Sequence, residues 1–318
     1  MQIKSNVITE KGLKMPMNTQ GNALPELVDP LEHISNQHPC FGKGPNLNKG
    51  RIHLPVSPTC NIQCAFCNRS RNTYEKRPGV TGEILTPVEA ADVVDKALKL
   101  CPEITVAGIA GPGDTLASDY AIETFNVIKE RHPELINCLS TNGLLLEEKA
   151  ERLIEAGVKT ITVTVNAVDP EILQHICLFI VKDGKTYVGT EGAKILIDAQ
   201  KRGIRKVKEL GAMVKVNMVL CPGINDEHVE DVAKTVSELG ADFFNIIPLI
   251  PQHKLSHLHE PSCQELYEAR AKAEKYIRVF RHCQRCRADA AGIPGKLEIS
   301  DKLYDLKKLN AQNTFSHG

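Results

Sequence analysis

Along most of this chain, apolar positions recur with two alternating periods. From residue 51 onward, short runs with a strand-like period of two are separated by longer stretches with a helical period of 3.6. Arg51 to Ser57 reads as the first strand. Thr86-Pro87-Val88-Glu89 opens a helix: a threonine cap, proline at the first helical position, and glutamate three residues after the cap. That helix runs to about Leu100. Ile104 to Ile109 is a strand ending in a glycine turn, and Ser118 to about Arg131 a helix. Ile136 to Ser140 is a strand ending at Asn142-Gly143, and Leu145 to Ala156 a helix stopped by Gly157. Thr160 to Val168 is a strand rich in β-branched residues. Pro170 to Val181 reads as helical, Asp183-Gly184-Lys185 as a turn, and Gly192 to about Gly203 as helix again. Ala212 to Leu220 and Phe243 to Ile250 are strands around a helix at Asp226 to Leu239, and Glu265 to Phe280 is a last amphipathic helix.

Six strands separated by helices predict an α/β fold of parallel βα units, wound right-handed into a barrel or open sheet. Chemistry in such folds collects at the carboxyl ends of the strands. The distinctive residues fall there: Cys60, the turn Gly111-Pro112-Gly113-Asp114, Asn142, Asn166, and Cys221-Pro222-Gly223. Residues 1 to about 36 carry little periodicity and read as a draped arm, followed by a loop signal at Gly42-Lys43-Gly44-Pro45. This divides the chain into an arm (1–49), a barrel (50–260) and a C-terminal helix and tail (261–318).

Composition narrows the function. The 318 residues are 42% apolar, which supports a sizeable core. Lys+Arg and Asp+Glu are equal at 39 each, so no net charge draws the chain to nucleic acid or an acidic membrane. Tryptophan is lacking and aromatics are 4%, which leaves little for stacking bases or sugars. No apolar run approaches the ~18 residues of a membrane span, and the first residues have no signal-like apolar core, so a cytoplasmic location is expected. Eleven cysteines in such a reducing setting point to metal rather than disulfides.

Three of them, Cys60, Cys64 and Cys67, sit at C-x3-C-x2-C spacing just after the first strand. A structural zinc site wants four closed ligands. A cubane 4Fe–4S cluster takes one ligand per iron, so three thiols leave one iron open to a small molecule. Cys283-Gln284-Arg285-Cys286 supplies a second group in the tail. Two thiols cannot close a cubane, and Cys40 in the arm is the leading third ligand. A zinc knuckle at the loop and a redox dithiol at the pair are the plainer alternatives. Asp114 adds a carboxylate to its glycine turn, which has neither phosphate-loop nor dinucleotide spacing. Asn142 and Asn166 are polar strand ends that serve either a ligand or an ordinary turn.

The cysteine loop, with Phe66 just before its third thiol, resembles the signature of the radical S-adenosylmethionine (SAM) superfamily. The resemblance implies a partial (β/α)6 barrel and a 4Fe–4S cluster on Cys60, Cys64 and Cys67. The open iron would hold the amino and carboxylate groups of SAM, whose cleavage gives a 5′-deoxyadenosyl radical. Phe66 would lie near the adenine, and Gly111, Gly113 and Asp114 would form the turn that meets the SAM amino group. A longer set of motifs resembles the nitrogenase cofactor maturase family, NifB: His38-Pro39-Cys40-Phe41, Arg51-Ile52-His53, Cys60-Asn61-Ile62-Gln63-Cys64, Arg77-Pro78-Gly79-Val80, Ala107 to Asp114, Ser140-Thr141-Asn142-Gly143, Pro222 to Asp226, and His282-Cys283 to Ala290.

That likeness spans roughly residues 38 to 292. It implies fusion of two 4Fe–4S clusters with a SAM-derived carbide and an added sulfide, giving an eight-iron precursor of the nitrogenase cofactor. Cys40, Cys283 and Cys286 would hold one auxiliary cluster, and His53 and Cys138 the other. Cys138 shares a strand face with Ser140 and Asn142. Many members carry a further cysteine shortly after the loop. Here that stretch has none, and Glu75 is the candidate substitute. The chain ends at Gly318 without the carrier-like domain of longer members. Cys101, Cys177, Cys221 and Cys263 have no assigned role, and Cys221 ends the fifth strand. A cluster donor, an electron donor and a cofactor carrier or scaffold would be the partners. Another radical SAM maturase with auxiliary clusters, or a non-catalytic cluster scaffold, is the competing reading.

Overall fold

All six expected strands form and lie side by side in chain order. In the computed structural model, which describes residues 30–42 and 48–304, they are β1 (Gly50–His53), β2 (Ile104–Ile109), β3 (Ile136–Thr141), β4 (Val158–Thr164), β5 (Met213–Leu220) and β6 (Phe243–Pro248). Every neighbouring pair among them is parallel. Helices α1 (Pro87–Leu100), α2 (Tyr120–Arg131), α3 (Leu146–Glu155), α4 (Gly189–Glu209) and α5 (Val229–Glu238) make the crossovers, and α6 (Cys263–Glu274) follows β6. Most of the expected arm, the loop signal at residues 43–45, and the tail beyond 304 lie outside the described residues.

Strand alternation gives the sheet two faces. Leu139, Ile161, Val214, Val216 and Phe244 face the helices and pack in one core with Val94, Phe125, Leu153, Ile204 and Val232. The residues between them, Cys138, Thr162, Lys215, Asn217 and Asn245, line a single interior cavity that all six strands share. The sheet is therefore curled into a partial barrel.

The C-terminal chain covers both open edges. Ala291–Ile293 pairs antiparallel with β1, and Leu297–Glu298 pairs with that strand in turn. At the other edge, Phe244 exchanges backbone bonds with Arg278 and Phe280. Unpaired strand edges invite association, so covering them is itself stabilising.

One expected element is replaced. The stretch Pro170 to Val181 is helical only over Pro170–Leu173. Cys177–Lys182 and Lys185–Val188 instead form a hairpin, and Ile62–Cys64 of the cysteine loop joins it as a third strand. The aromatic and β-branched run Phe179-Ile180-Val181 favours strand. The two-residue turn Asp183-Gly184 has both φ positive, 53° and 70°, the hairpin geometry that Asp-Gly prefers. Two helices also differ in extent. α4 runs through the expected stop at Gly203, because that glycine lets the helix pack against Leu146: a Cβ there would meet the leucine at 2.8 Å. α6 begins at the Ser262/Glu265 capping box and ends at Glu274, and residues 278–280 leave it for the edge of β6.

Candidate functional site

The cavity enclosed by the barrel measures about 370 Å³. Eight of the 11 cysteines line it: Cys40, Cys60, Cys64, Cys67, Cys138, Cys177, Cys283 and Cys286. None is in a disulfide. They come from the arm, the cysteine loop, β3, the hairpin and the tail, so one wall gathers thiols from the whole described chain.

The cysteine loop is fastened from three sides. The Ala65 amide donates to Ile176 O at 2.7 Å, the Val181 amide to Asn61 O at 2.8 Å, and the Lys254 amide to Ala65 O at 2.9 Å. Gln63 Nε2 donates to the carbonyls of Cys64 and Cys67 at 2.8 and 3.2 Å, closing the turn between them. The third fastening is the glycine turn after β2. Gly113 and Asp114 donate their amides to Ser57 O and Thr59 O at 2.7 and 2.8 Å. A Cβ on Gly113 would lie 1.9 Å from Thr59 O, so only glycine permits this approach.

Asp114 is committed to the same brace. Its carboxylate accepts from the Asn142 amide at 2.6 Å, the Leu116 amide at 3.0 Å and Thr141 Oγ1. Burial raises its pKa against those bonds. Asn142 Nδ2 donates to Asn61 Oδ1 at 2.7 Å, and Asn166 Oδ1 accepts from the Val219 amide at 2.9 Å. Gly113, Asp114, Asn142, Asn166 and Phe66 all line the cavity, whereas Gly111 does not.

The auxiliary candidates divide into two groups. His53 Nδ1 lies 3.0 Å from Arg287 O. Donating there leaves Nε2 free as a ligand, the usual arrangement of a metal-binding histidine. Burial and Arg51 bring its pKa down to about 4, so the ring is neutral near pH 7. Gly108 makes room for it, since a Cβ there would meet the ring at 3.2 Å. Cys138 lines the wall on β3. Cys40, Cys283 and Cys286 form the second group, with Arg51 Nη2 donating to Cys286 Sγ at 3.3 Å.

Glu75 is not on the cavity wall. Burial opposes its ionisation, but hydrogen bonds from Asn72 and Arg77 hold its carboxyl below the usual range. Its backbone carbonyl accepts from Arg287, whose own carbonyl faces His53, so it is one residue removed from that site.

The donor set suits iron–sulfur chemistry. Thiols and an imidazole are the ligands such clusters take. Burial pushes the Cys60 and Cys40 thiols up to about 12, and Cys64 well above its ordinary value. Metal loading therefore displaces protons from these groups. No three His, Cys, Asp or Glu side chains among the described residues close on a single ion.

Several wall residues were not anticipated: His38, Arg51, Gln200, Lys215 and Asn245. Lys215 carried a signal. A lysine midway along the apolar strand Met213–Leu220 is out of place unless it faces a polar interior. His38 and Arg51 sit in matched motifs without an assigned task, and Gln200 and Asn245 carry no mark in the sequence.

A curled parallel barrel with a three-thiol loop at the mouth of its first strand defines a class, the radical SAM proteins, and residues 54–236 match the model of the Radical SAM superfamily. The chain belongs more narrowly to the NifB family. It is 47% identical over 291 residues to the FeMo cofactor biosynthesis protein NifB of Methanocaldococcus jannaschii, covering 90% of this chain and 97% of that protein. To the NifB protein of Azotobacter vinelandii it is 39% identical over 283 residues, covering 84% of this chain and 56% of that longer one. Among solved structures, Streptococcus suis SuiB bound to S-adenosylmethionine superposes with a TM-score of 0.53 at 14% identity, covering 74% of this chain and 51% of that one. A radical SAM methyltransferase from Sphaerobacter thermophilus gives 0.53 at 19% identity, covering 73% and 65%. These two likenesses concern the fold alone. Among the described residues, no helix is long and apolar enough to cross a membrane.

Proposed function

We propose that this chain is a radical SAM enzyme of FeMo cofactor biosynthesis. It joins two 4Fe–4S clusters, a carbide from a SAM methyl group and an added sulfide into an eight-iron precursor. One observation carries this reading: a single barrel cavity collects eight free thiols, more than a SAM-binding cluster needs.

Three parts share the work: the arm to residue 49, the barrel over 50–260, and the tail over 261–318. Cys60, Cys64 and Cys67 hold the SAM-binding cluster. That cluster, when bound, supplies the electron that cleaves SAM to a 5′-deoxyadenosyl radical. Phe66, Gly113, Asp114, Asn142 and Asn166 shape the SAM side of the cavity, and Gly111, off the wall, belongs to the turn that carries Gly113 and Asp114. Asp114 acts through the backbone of Asn142 and the fastening of the loop rather than as a free carboxylate. Cys40, Cys283 and Cys286 hold one substrate cluster. His53 and Cys138 hold the other, with Glu75 joining them after its carboxylate turns from Arg77. The curled sheet keeps methyl donor, radical and both substrates in one chamber, which is where the rate advantage of positioning arises. A cluster donor, an electron donor and a carrier for the product are the partners this chemistry needs.

Anaerobically reconstituted protein should bind about twelve irons, four for each of three cubanes. Cys283→Ala should keep SAM cleavage, read as 5′-deoxyadenosine, and lose the eight-iron product. About four irons in the parent protein would reduce the proposal to a simple radical SAM enzyme. Iron without 5′-deoxyadenosine would mark a scaffold.

A further inference from the structure

Three buried side chains on the cavity wall bring hydrogen-bond donors that nothing among the described residues accepts. The Cys40 amide donates to His38 Nδ1 at 3.0 Å. A neutral imidazole then carries its proton on Nε2. That atom is buried without a partner, and His38 as a whole is only 2% exposed. Arg51 donates Nη1 to Gly292 O at 3.0 Å and Nη2 to Cys286 Sγ at 3.3 Å, while its Nε is buried without a partner. Its nearest carboxylate, Glu298, stands at 3.7 Å and is half exposed. Lys215 Nζ donates to Cys40 O at 3.1 Å and lies 4.7 and 5.1 Å from the ring centres of Phe41 and Phe280. No carboxylate pairs with it among the described residues. An ammonium has three N–H groups, so two remain.

These groups come from three parts of the chain and surround Cys40 and Cys286. A bare cation would leave the donors unsatisfied and add to the positive charge. An occupant whose surface is anionic and accepts hydrogen bonds would satisfy them.

We propose that His38, Arg51 and Lys215 are positioning residues for the cluster held by Cys40, Cys283 and Cys286. They donate to its sulfides and thiolates and raise its reduction potential. This rests on the reading of that trio as a cluster site. Donors and positive charge beside the sulfurs favour the more negative, reduced form of a cluster. Outer partners of this kind typically change site affinity or activity ten- to a hundredfold.

The test is a potentiometric titration of the reconstituted holoenzyme, followed by electron paramagnetic resonance with SAM present to mark the SAM-binding cluster. Lys215→Met should favour the oxidised form of one auxiliary cluster about tenfold, a shift of about 59 mV for one electron. Lys215→Arg should restore most of it. His38→Leu should shift the same signal, and His38→Gln, which keeps a donor, should shift it less. Should Lys215→Met not fold, Lys215→Gln serves in its place. Unchanged midpoints and spectra in the lysine and His38→Leu variants, with full iron, overturn the cradle. The loss of no iron in Cys286→Ala overturns the cluster site beneath it, and the two failures are told apart by counting iron.

Discussion

His53 is the residue whose chemistry depends most sharply on its surroundings. In an unfolded chain its pKa is near 6.5, and in the barrel it is about 4. Between these values the unfolded chain binds a proton that the folded one refuses. Stability from this group is therefore full above about pH 6.5 and lost as the pH falls toward 4. For cluster-free protein, urea unfolding should show a drop of up to about 3 kcal/mol across that window. His53→Gln should remove that part of the slope; an identical slope in the variant would show that His53 is not buried as described. The thiols of the Cys60–Cys67 loop and the Cys283/Cys286 pair were legible in the sequence because their spacing is chemical, whereas Cys138 rested on the family resemblance and the wall thiol Cys177 carried no mark. The donors around them were not, because a buried His38 or Arg51 resembles any surface counterpart until the fold closes over it. Glu75 shows the reverse: its residue type suits iron, but Arg77 and Asn72 already occupy its carboxylate.

Among elements, the hairpin Cys177–Val188 decides how well the cysteine loop is held. Ile180 is fully buried and pairs with Ile62 at the start of that loop. Ile180→Ala should cost about 3 kcal/mol by leaving a cavity. It should also make the SAM-binding cluster lose iron faster, as followed by the bleaching of its visible absorption under a chelator. Equal bleaching rates would detach the hairpin from the site. Most elements could be read from hydrophobic period and capping: the Thr86/Glu89 capping box opens α1 where expected. The hairpin could not, because Ile176 to Val181 is a continuous apolar run whose period favours neither form. The Asp183-Gly184 turn was visible, but its pairing partner lies more than a hundred residues earlier, at Ile62–Cys64.

For the whole molecule, the tail is a structural part of the barrel. Ala291–Ile293 covers β1, and Tyr304 donates its hydroxyl to His53 O at 2.7 Å. Ending the chain at Ala290 should uncover β1 and remove a buried tyrosine, itself worth roughly 1.5–3 kcal/mol. The expected results are a lower unfolding midpoint and concentration-dependent self-association in sedimentation velocity, because an open strand edge recruits a partner. A monomer of unchanged midpoint would show that this covering is dispensable.

The cavity's ligands are also spread across time. Cys67 leaves the ribosome well before Cys283, and at ~5–20 residues per second the interval is about 10–40 s. Throughout that interval the nascent chain presents the cysteine loop while the Cys40 thiol still lacks its two companions. Iron delivered during synthesis would meet the SAM-binding position first. On the proposed reading, the auxiliary position at Cys40 gains its other two thiols only after the segment beyond β6 is made, so the second cargo is admitted later than the first.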